Sequence, residues 1–379
     1  MNFPFCDGCN FCDSEDFVDV KSRIPNYITA LVNEIRAAKK NAEGREISSV
    51  FFGGSGASLI SIKHLGAVMK ELRKTFKFTD DVEITLEVSP AAKVANVGAW
   101  KELGINRVSL TALALDEIVL KTMGKTYSVD SIRKMLDAVM DAGFSVNVDI
   151  SIAVPIPKNI AQMDLRRGPE AELENLLVFY PMIDHISIYE TEIQDGTNMA
   201  RALDYEELYM QSPDDSVCDL VLLSDVLHEF GFSHYDTCHW ARDGAESIYN
   251  RSHLEIENEC FAFGVDASGL VNDERYDNFD DLDMYILSPE KTEFREKRTT
   301  LDKVNEAIMN QLQRPNGIDI AGIKKLGVDI MAQKQHEINE LRAMRIIKAT
   351  KNSLKLTKHG VLMLNYALGE LLLDDLVAL

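Results

Sequence analysis

The feature that most limits the fold of this 379-residue chain is a regular alternation of strand-like and helix-like segments up to about residue 190. ISSVFFGG (47–54) is a β-rich run ending in glycines, followed by amphipathic SIKHLGAVMKELRKTF (61–76). EITLEVSP (83–90) precedes AAKVANVGAWKELG (91–104), and INRVSL (105–110) precedes DEIVLKTMG (116–124). SVDSIRKMLDAVMDAG (128–143) has helical spacing, with Ser128 or Asp130 as its cap and Gly143 as terminator. FSVNVDISIAV (144–154), EAELENLLVFY (170–180) and DHISIYE (184–190) continue the series. Repeated βα units of this length predict a parallel sheet with right-handed crossovers that curls into a full or partial barrel. Functional side chains then belong at the C-terminal ends of the strands.

Beyond about residue 195 the alternation stops. PDDSVCDLVLLSDVLHEFG (213–231) predicts one long helix, and VNDERYDNFDDLD (271–283), with six acids against one Arg, predicts a solvated loop. From about residue 300 short helices flank SLKLTKHG (353–360), the pattern of a winged-helix-like module. The expected division is a barrel core over 1–195, a barrel-completing and substrate-covering segment over 196–299, and a helical domain over 300–379. Lys and Arg number 40 against 61 acids, a net charge of −21, which argues against a broad nucleic-acid surface. Hydrophobic residues at 46% exclude wholesale disorder, and no apolar run approaches the ~18 residues of a membrane span. The N-terminus shows no cationic region followed by an apolar stretch, so the expected compartment is the cytoplasm.

Three of the six cysteines, Cys6, Cys9 and Cys12, fall within seven residues in FPFCDGCNFCDSEDF. In a reducing compartment such a triad points to metal or redox chemistry rather than to disulfides. Three thiolates can hold three irons of a [4Fe–4S] cluster and leave the fourth open. Zinc with a fourth ligand brought in by folding is the alternative, as is a short segment that simply packs on the barrel. Phe3, Phe5 and Phe11 would shield a cluster from bulk water.

Taken with its order of motifs, the chain resembles the radical S-adenosylmethionine (SAM) superfamily. More narrowly it is similar to the oxygen-independent coproporphyrinogen III oxidase-like family, in its heme chaperone and anaerobic heme-utilisation branch. The motifs that carry the likeness are PFC-x-x-C-x-F-C-D, VFFGGSGASLIS (50–61), EITLEVSP, LGINRVSL with LKTMGKTY, VNVDISIAVPIP, FGVDASG (263–269) and SLKLTKHG. The resemblance implies a partial (β/α)6 radical-SAM-type barrel followed by a helical, winged-helix-like C-terminal domain. It implies a [4Fe–4S] cluster on Cys6, Cys9 and Cys12, and S-adenosyl-L-methionine held by Gly53, Gly54, Ser55, Gly56, Glu87, Lys125 and Asp149. Physically, glycines at a strand end allow close backbone approach. A carboxylate within an apolar strand needs hydrogen-bond partners, for which ribose hydroxyls suit Asp149 and the amino group suits Glu87. Lys125 stands where the family has an Arg and supplies charge without a bidentate fork.

Three departures from the family pattern stand out. The triad reads CxxCxxC rather than CxxxCxxC, Leu113 occupies a position that is usually Gln, and the strand that the family places before the triad has no counterpart here. Either the start of the chain is truncated, or another element closes that edge of the sheet. The family's reaction would be reductive cleavage of SAM to a 5′-deoxyadenosyl radical acting on a tetrapyrrole, heme or porphyrin-like, with electrons from a flavodoxin or ferredoxin. A heme-binding delivery protein and a methyltransferase are the alternatives, and no catalytic side chain is assigned. HYDTCHWARDGAESIYNR (234–251) supplies the substrate candidates Cys238, His239, Trp240, Arg242, Tyr249 and Asn250: ligands for iron, aromatics for a macrocycle and a cation for carboxylates. A polar loop with packed aromatics is the plain alternative.

Overall fold

Five parallel strands form the framework of a computed structural model that describes residues 1–5, 10, 20–54, 56–162, 168–255 and 258–375. They are β1 (Glu46–Phe52), β2 (Lys77–Val88), β3 (Arg107–Leu113), β4 (Ser145–Ile152) and β5 (His185–Glu190). Two short strands, β6 (Ser233–His234) and β7 (His239–Ala241), extend the sheet antiparallel in the order β1-β2-β3-β4-β5-β7-β6. The result is a curled, seven-stranded half-barrel with helices on its outer face. The parallel part is five strands rather than six, because the chain after β5 returns antiparallel.

Strand periodicity explains the two faces. Ile84, Leu86, Val88, Val108, Leu110, Val146, Val148, Ile186 and Ile188 alternate along β2–β5 and are buried in the main core beneath the helices. Burial of each such side chain is worth roughly 1.5–3 kcal/mol. Ser128 caps the helix Val129–Asp141 in a capping box with Ser131, and Gly143, at φ +70°, follows its end. The 91–104 segment is helical only over Val97–Glu102, after a 3-10 turn at Val94–Asn96.

The segment expected as an acidic loop is instead ordered. Ser268–Val271, Glu274–Asn278 and Thr292–Lys297 form a three-stranded antiparallel sheet. Its acids are used: Asp273 pairs with Arg298 and Lys303, Glu274 pairs with Arg295, and Asp281 caps the helix Leu282–Leu287. A separate core spans Val304 to Leu373, built from helices around the small sheet of Ile318–Asp319, Ser353–Leu356 and Ile347–Ala349. No helix among the described residues is long and apolar enough to cross a membrane.

The free edge of β1 is met only at its end. Asn2 bridges Gly53 in parallel, Gly53 N donates to Met1 O (2.9 Å), and Phe3 N donates to Gly53 O (2.9 Å). This segment leads directly to Cys6, and a buried cluster seats it. Tyr27 OH donates to Asn2 O (2.6 Å), while Asn2 Nδ2 donates to Val265 O (2.8 Å). The 263–265 turn is held in turn by Glu34, which accepts bonds from Gly264 N (2.9 Å), Asn278 Nδ2 (2.7 Å) and Tyr285 OH (2.6 Å). Desolvation outweighs these donors and pushes the Glu34 carboxyl up to about 7. A carboxyl raised on folding contributes stability below its unfolded pKa, and that contribution is lost as pH rises through about 7. At ~1.4 kcal/mol per pH unit, the loss amounts to roughly 3 kcal/mol. The Tm of the wild type should therefore fall between pH 5 and pH 8 more steeply than that of Glu34→Gln, measured by circular dichroism. Parallel slopes would show that Glu34 ionises as freely in the fold as in water.

Candidate active site

The inward-facing positions of the half-barrel are polar, and they bond to one another from strand to strand. Asn147 Nδ2 donates to Asp149 Oδ1 (2.7 Å) and to Ser109 Oγ (2.7 Å), and Ser109 Oγ donates to Asp149 Oδ2 (3.0 Å). Asn147 Oδ1 accepts from Ser187 Oγ (3.0 Å) and lies 2.6 Å from His185 Nδ1. His185 Nε2 lies 2.7 Å from Tyr235 OH, which also accepts from Asn250 Nδ2 (3.3 Å).

The direction of this column follows from its ends. Both Asn147 amide protons are used, so its oxygen must accept, and His185 must carry its proton on Nδ1. Nε2 then accepts from Tyr235. Burial lowers the His185 pKa well below its ordinary value, with the nearby Arg107 charge acting in the same direction, so the ring is neutral. Burial also raises the Asp149 carboxyl, against the donors Asn147, Ser109 and Ser187. An ionised carboxylate has about four lone-pair sites, so these partners leave it capacity for a ligand's hydroxyls.

At the mouth, Glu87 Oε2 accepts from Gly54 N (3.1 Å), and Thr111 Oγ1 donates to Glu87 Oε1 (3.5 Å). The Gly53 amide and carbonyl are both taken by residues 1–3, and Gly54 O accepts from Gly56 N (2.7 Å). The carboxylate bound by the glycine turn is thus the chain's own Glu87. A Cβ on Gly56 would lie 2.5 Å from Phe3 O and 2.6 Å from Phe5 N, so glycine is required for the 3–5 segment to pass. Phe3 and Phe5 are buried against Phe52 and Tyr27, as core residues.

Cys6, Cys9, Cys12, Phe11 and Ser55 lie outside the described residues. Asn10, a described residue, donates to Met123 O (3.2 Å) and Thr122 O (3.1 Å) and accepts from Met199 N (2.8 Å). Half-buried Lys125 follows this contact by two residues. Leu113 ends β3 with a positive φ of 64° and a buried side chain.

The 234–251 candidates separate. His239 and Cys238 stay near the mouth. His239 Nδ1 bonds the Asp236 carboxylate (2.7 and 2.8 Å), and its Nε2 lies 3.0 Å from Tyr189 OH. Burial raises the Cys238 thiol. Asn250 belongs to the interior column. Tyr249 stacks on Phe51 (centroids 4.5 Å apart) and, with His253, lines a groove of about 690 Å³ along the free edge of β1 that reaches Glu87. The remaining two candidates pack against the protein's own groups. Trp240 is buried and stacked on His234, with its Nε1 unpartnered, and half-buried Arg242 bonds Ile183 O (3.0 Å) and Phe230 O (2.7 Å) over the Phe232 ring.

Residues 4–161 match the radical SAM superfamily. Among curated proteins it is similar to the heme chaperone HemW of Lactococcus lactis, 23% identical over 99% of this chain and 97% of that protein. It is also similar to the mouse mitochondrial radical S-adenosyl methionine domain-containing protein 1, 27% identical over 71% of this chain; the match spans 59% of the mouse protein's length. Among solved structures, coproporphyrinogen III oxidase (HemN) from Escherichia coli superposes with a TM-score of 0.79 at 19% identity, covering 98% of this chain and 87% of that one. That likeness is one of fold.

In this half-barrel the sequence reading missed Ser109, Asn147, Ser187, Tyr189 and Tyr235. The available signal was the period-two polarity of the strands, with Glu83-Thr85-Glu87, Arg107-Ser109-Thr111, Asn147-Asp149 and His185-Ser187-Tyr189 each sharing a face. Arg242→Ala should lower unfolding stability by about 1–3 kcal/mol in urea titrations, because it leaves Ile183 O and Phe230 O without their donor. An unchanged unfolding midpoint would show that these bonds do not support the fold.

Proposed function

We propose that the chain is a radical SAM enzyme that carries a [4Fe–4S] cluster on Cys6, Cys9 and Cys12 and cleaves S-adenosyl-L-methionine reductively to act on a tetrapyrrole. The observation that carries this reading is the pair of carboxylates at the strand ends: Glu87 fastened to the glycine turn at Gly54, and Asp149 held by Ser109 and Asn147. The donor set suits the cosubstrate. Asp149 retains acceptor capacity for a ribose diol, Glu87 lies beside the turn to face an ammonium group, and Lys125 supplies charge for a carboxylate. When bound, the cluster supplies the one electron that breaks the sulfonium C–S bond. The protein's part is to hold the cosubstrate in a water-poor mouth, where Asp149 and Glu87 act at reduced dielectric. The electron would come from a flavodoxin- or ferredoxin-type donor in the cytoplasm.

A second reading has its own support. The full-length likeness to a protein named heme chaperone favours heme binding and delivery without turnover. The aromatic groove at Tyr249 and His253 offers a surface for a flat macrocycle under either reading.

The test is anaerobic. Reconstituted protein is assayed for iron and sulfide, then incubated with S-adenosyl-L-methionine and dithionite, with and without heme. Formation of 5′-deoxyadenosine supports the enzyme reading, and none under either condition sinks it. Stoichiometric heme binding without turnover supports the carrier, and zinc without iron removes both. Asp149→Asn should weaken S-adenosyl-L-methionine binding roughly tenfold or more by calorimetry, the loss of a charge-assisted hydrogen bond.

A further inference from the structure

Tyr189 is the last inward-facing residue of β5, one strand position above the level of Asp149. Its side chain does not merely line the mouth. Asp236 is buried, and its Oδ1 accepts from Cys238 N (2.9 Å) and His239 N (2.9 Å) as well as from the imidazole. With the carboxylate accepting at Nδ1, the His239 proton sits there, and Nε2 is the acceptor for the Tyr189 hydroxyl at 3.0 Å. Carboxylate, imidazole and phenol therefore stand in series, each oriented by the one behind it. The three come from β5 and from the turn and strand of 236–239, which cross the half-barrel antiparallel to it.

We propose that Tyr189, His239 and Asp236 form a proton relay into the barrel mouth, with Tyr189 exchanging a proton with a weakly acidic O–H or N–H of the bound substrate. In the forward direction the substrate's O–H or N–H bond breaks and its proton joins Tyr189 Oη. The proton of Tyr189 passes to His239 Nε2, and Asp236 pairs with the resulting imidazolium. No oxidation state changes. Tyr189 is the group that meets substrate, and His239 and Asp236 act through it. Burial and the neighbouring Asp149 charge raise the Tyr189 pKa, so the phenol is not ionised beforehand and depends on His239 as its base. The assignment rests on the proposed function only in placing the substrate at the mouth.

The relay is tested without cosubstrate or substrate. The full chain, as purified and after anaerobic reconstitution, is treated with an arylsulfonyl fluoride, and labelled tyrosines are mapped by peptide mass spectrometry. Tyr205 and Tyr209 are the internal controls, at 77% and 46% exposure against 41% for Tyr189. Tyr189 should react at least about tenfold faster than either, because a positioned base assists its attack. His239→Asn and Asp236→Asn should abolish the excess rate while leaving Tyr205 and Tyr209 unchanged. Reaction of wild-type Tyr189 no faster than Tyr205, or an excess that survives His239→Asn, overturns the relay. Failure of S-adenosyl-L-methionine cleavage would overturn the proposed enzyme and leave this result standing.

Discussion

The side chain on which the interior of this protein depends is the Asn147 amide. It stands at the centre of the half-barrel and is the one group that bonds both the Asp149 carboxylate and the His185 ring. Because both of its protons are spent on Ser109 and Asp149, its oxygen can only accept, and that fixes the tautomer of His185 and the direction of the Tyr235 hydroxyl. A buried polar network is stabilising when every member is satisfied and costly when one is not. The column from Asp149 to Asn250 meets the first condition over four successive hydrogen bonds. The fold can therefore keep a carboxylate facing its mouth without water beneath it.

The same logic governs the edge. The N-terminal segment is placed by hydrogen bonds with Tyr27, Val265 and Gly53 as well as by its buried phenylalanines. The turn that carries Val265 is held by Glu34, a carboxyl shared by three donors from three segments. The seating of the residues just ahead of Cys6 thus traces back to one buried acid more than 20 positions along the chain. Gly56 contributes by what it lacks, since only a residue without a Cβ lets the backbone of Phe3 and Phe5 pass.

The βα order, the strand ends, the helix start at Ser128 and its stop at Gly143 were legible because each has a local cause: period, cap chemistry and positive φ. The carboxylates Glu87 and Asp149 stood out because an acid in an apolar strand is expensive unless it is bonded. Tyr189 and Asn147 did not, because a tyrosine or an asparagine in a strand carries no such penalty signal. Arg242 and Trp240 were ambiguous for the opposite reason. Guanidinium and indole groups are sticky for ligands and for the protein's own carbonyls and rings alike, and only the three-dimensional neighbours decide between them. The acidic 271–283 stretch misled in the same way: its charges face outward and pair with Arg295, Arg298 and Lys303, while Tyr276 and Asn278 turn inward.

One short helix joins these parts. Ile248–His253 begins on Glu83, whose carboxylate accepts from Ser247 Oγ (2.9 Å), Ile248 N (2.9 Å) and Tyr249 N (3.1 Å). Negative charge at those free amides stabilises the helix start. Asn250, on the inner side, terminates the Asp149 column, while Tyr249 and His253 line the groove beside β1. The groove and the barrel interior are therefore two sides of a single element anchored on one carboxylate, so a ligand that shifted the backbone of this turn from the groove side would also disturb the Asn250 bond to Tyr235.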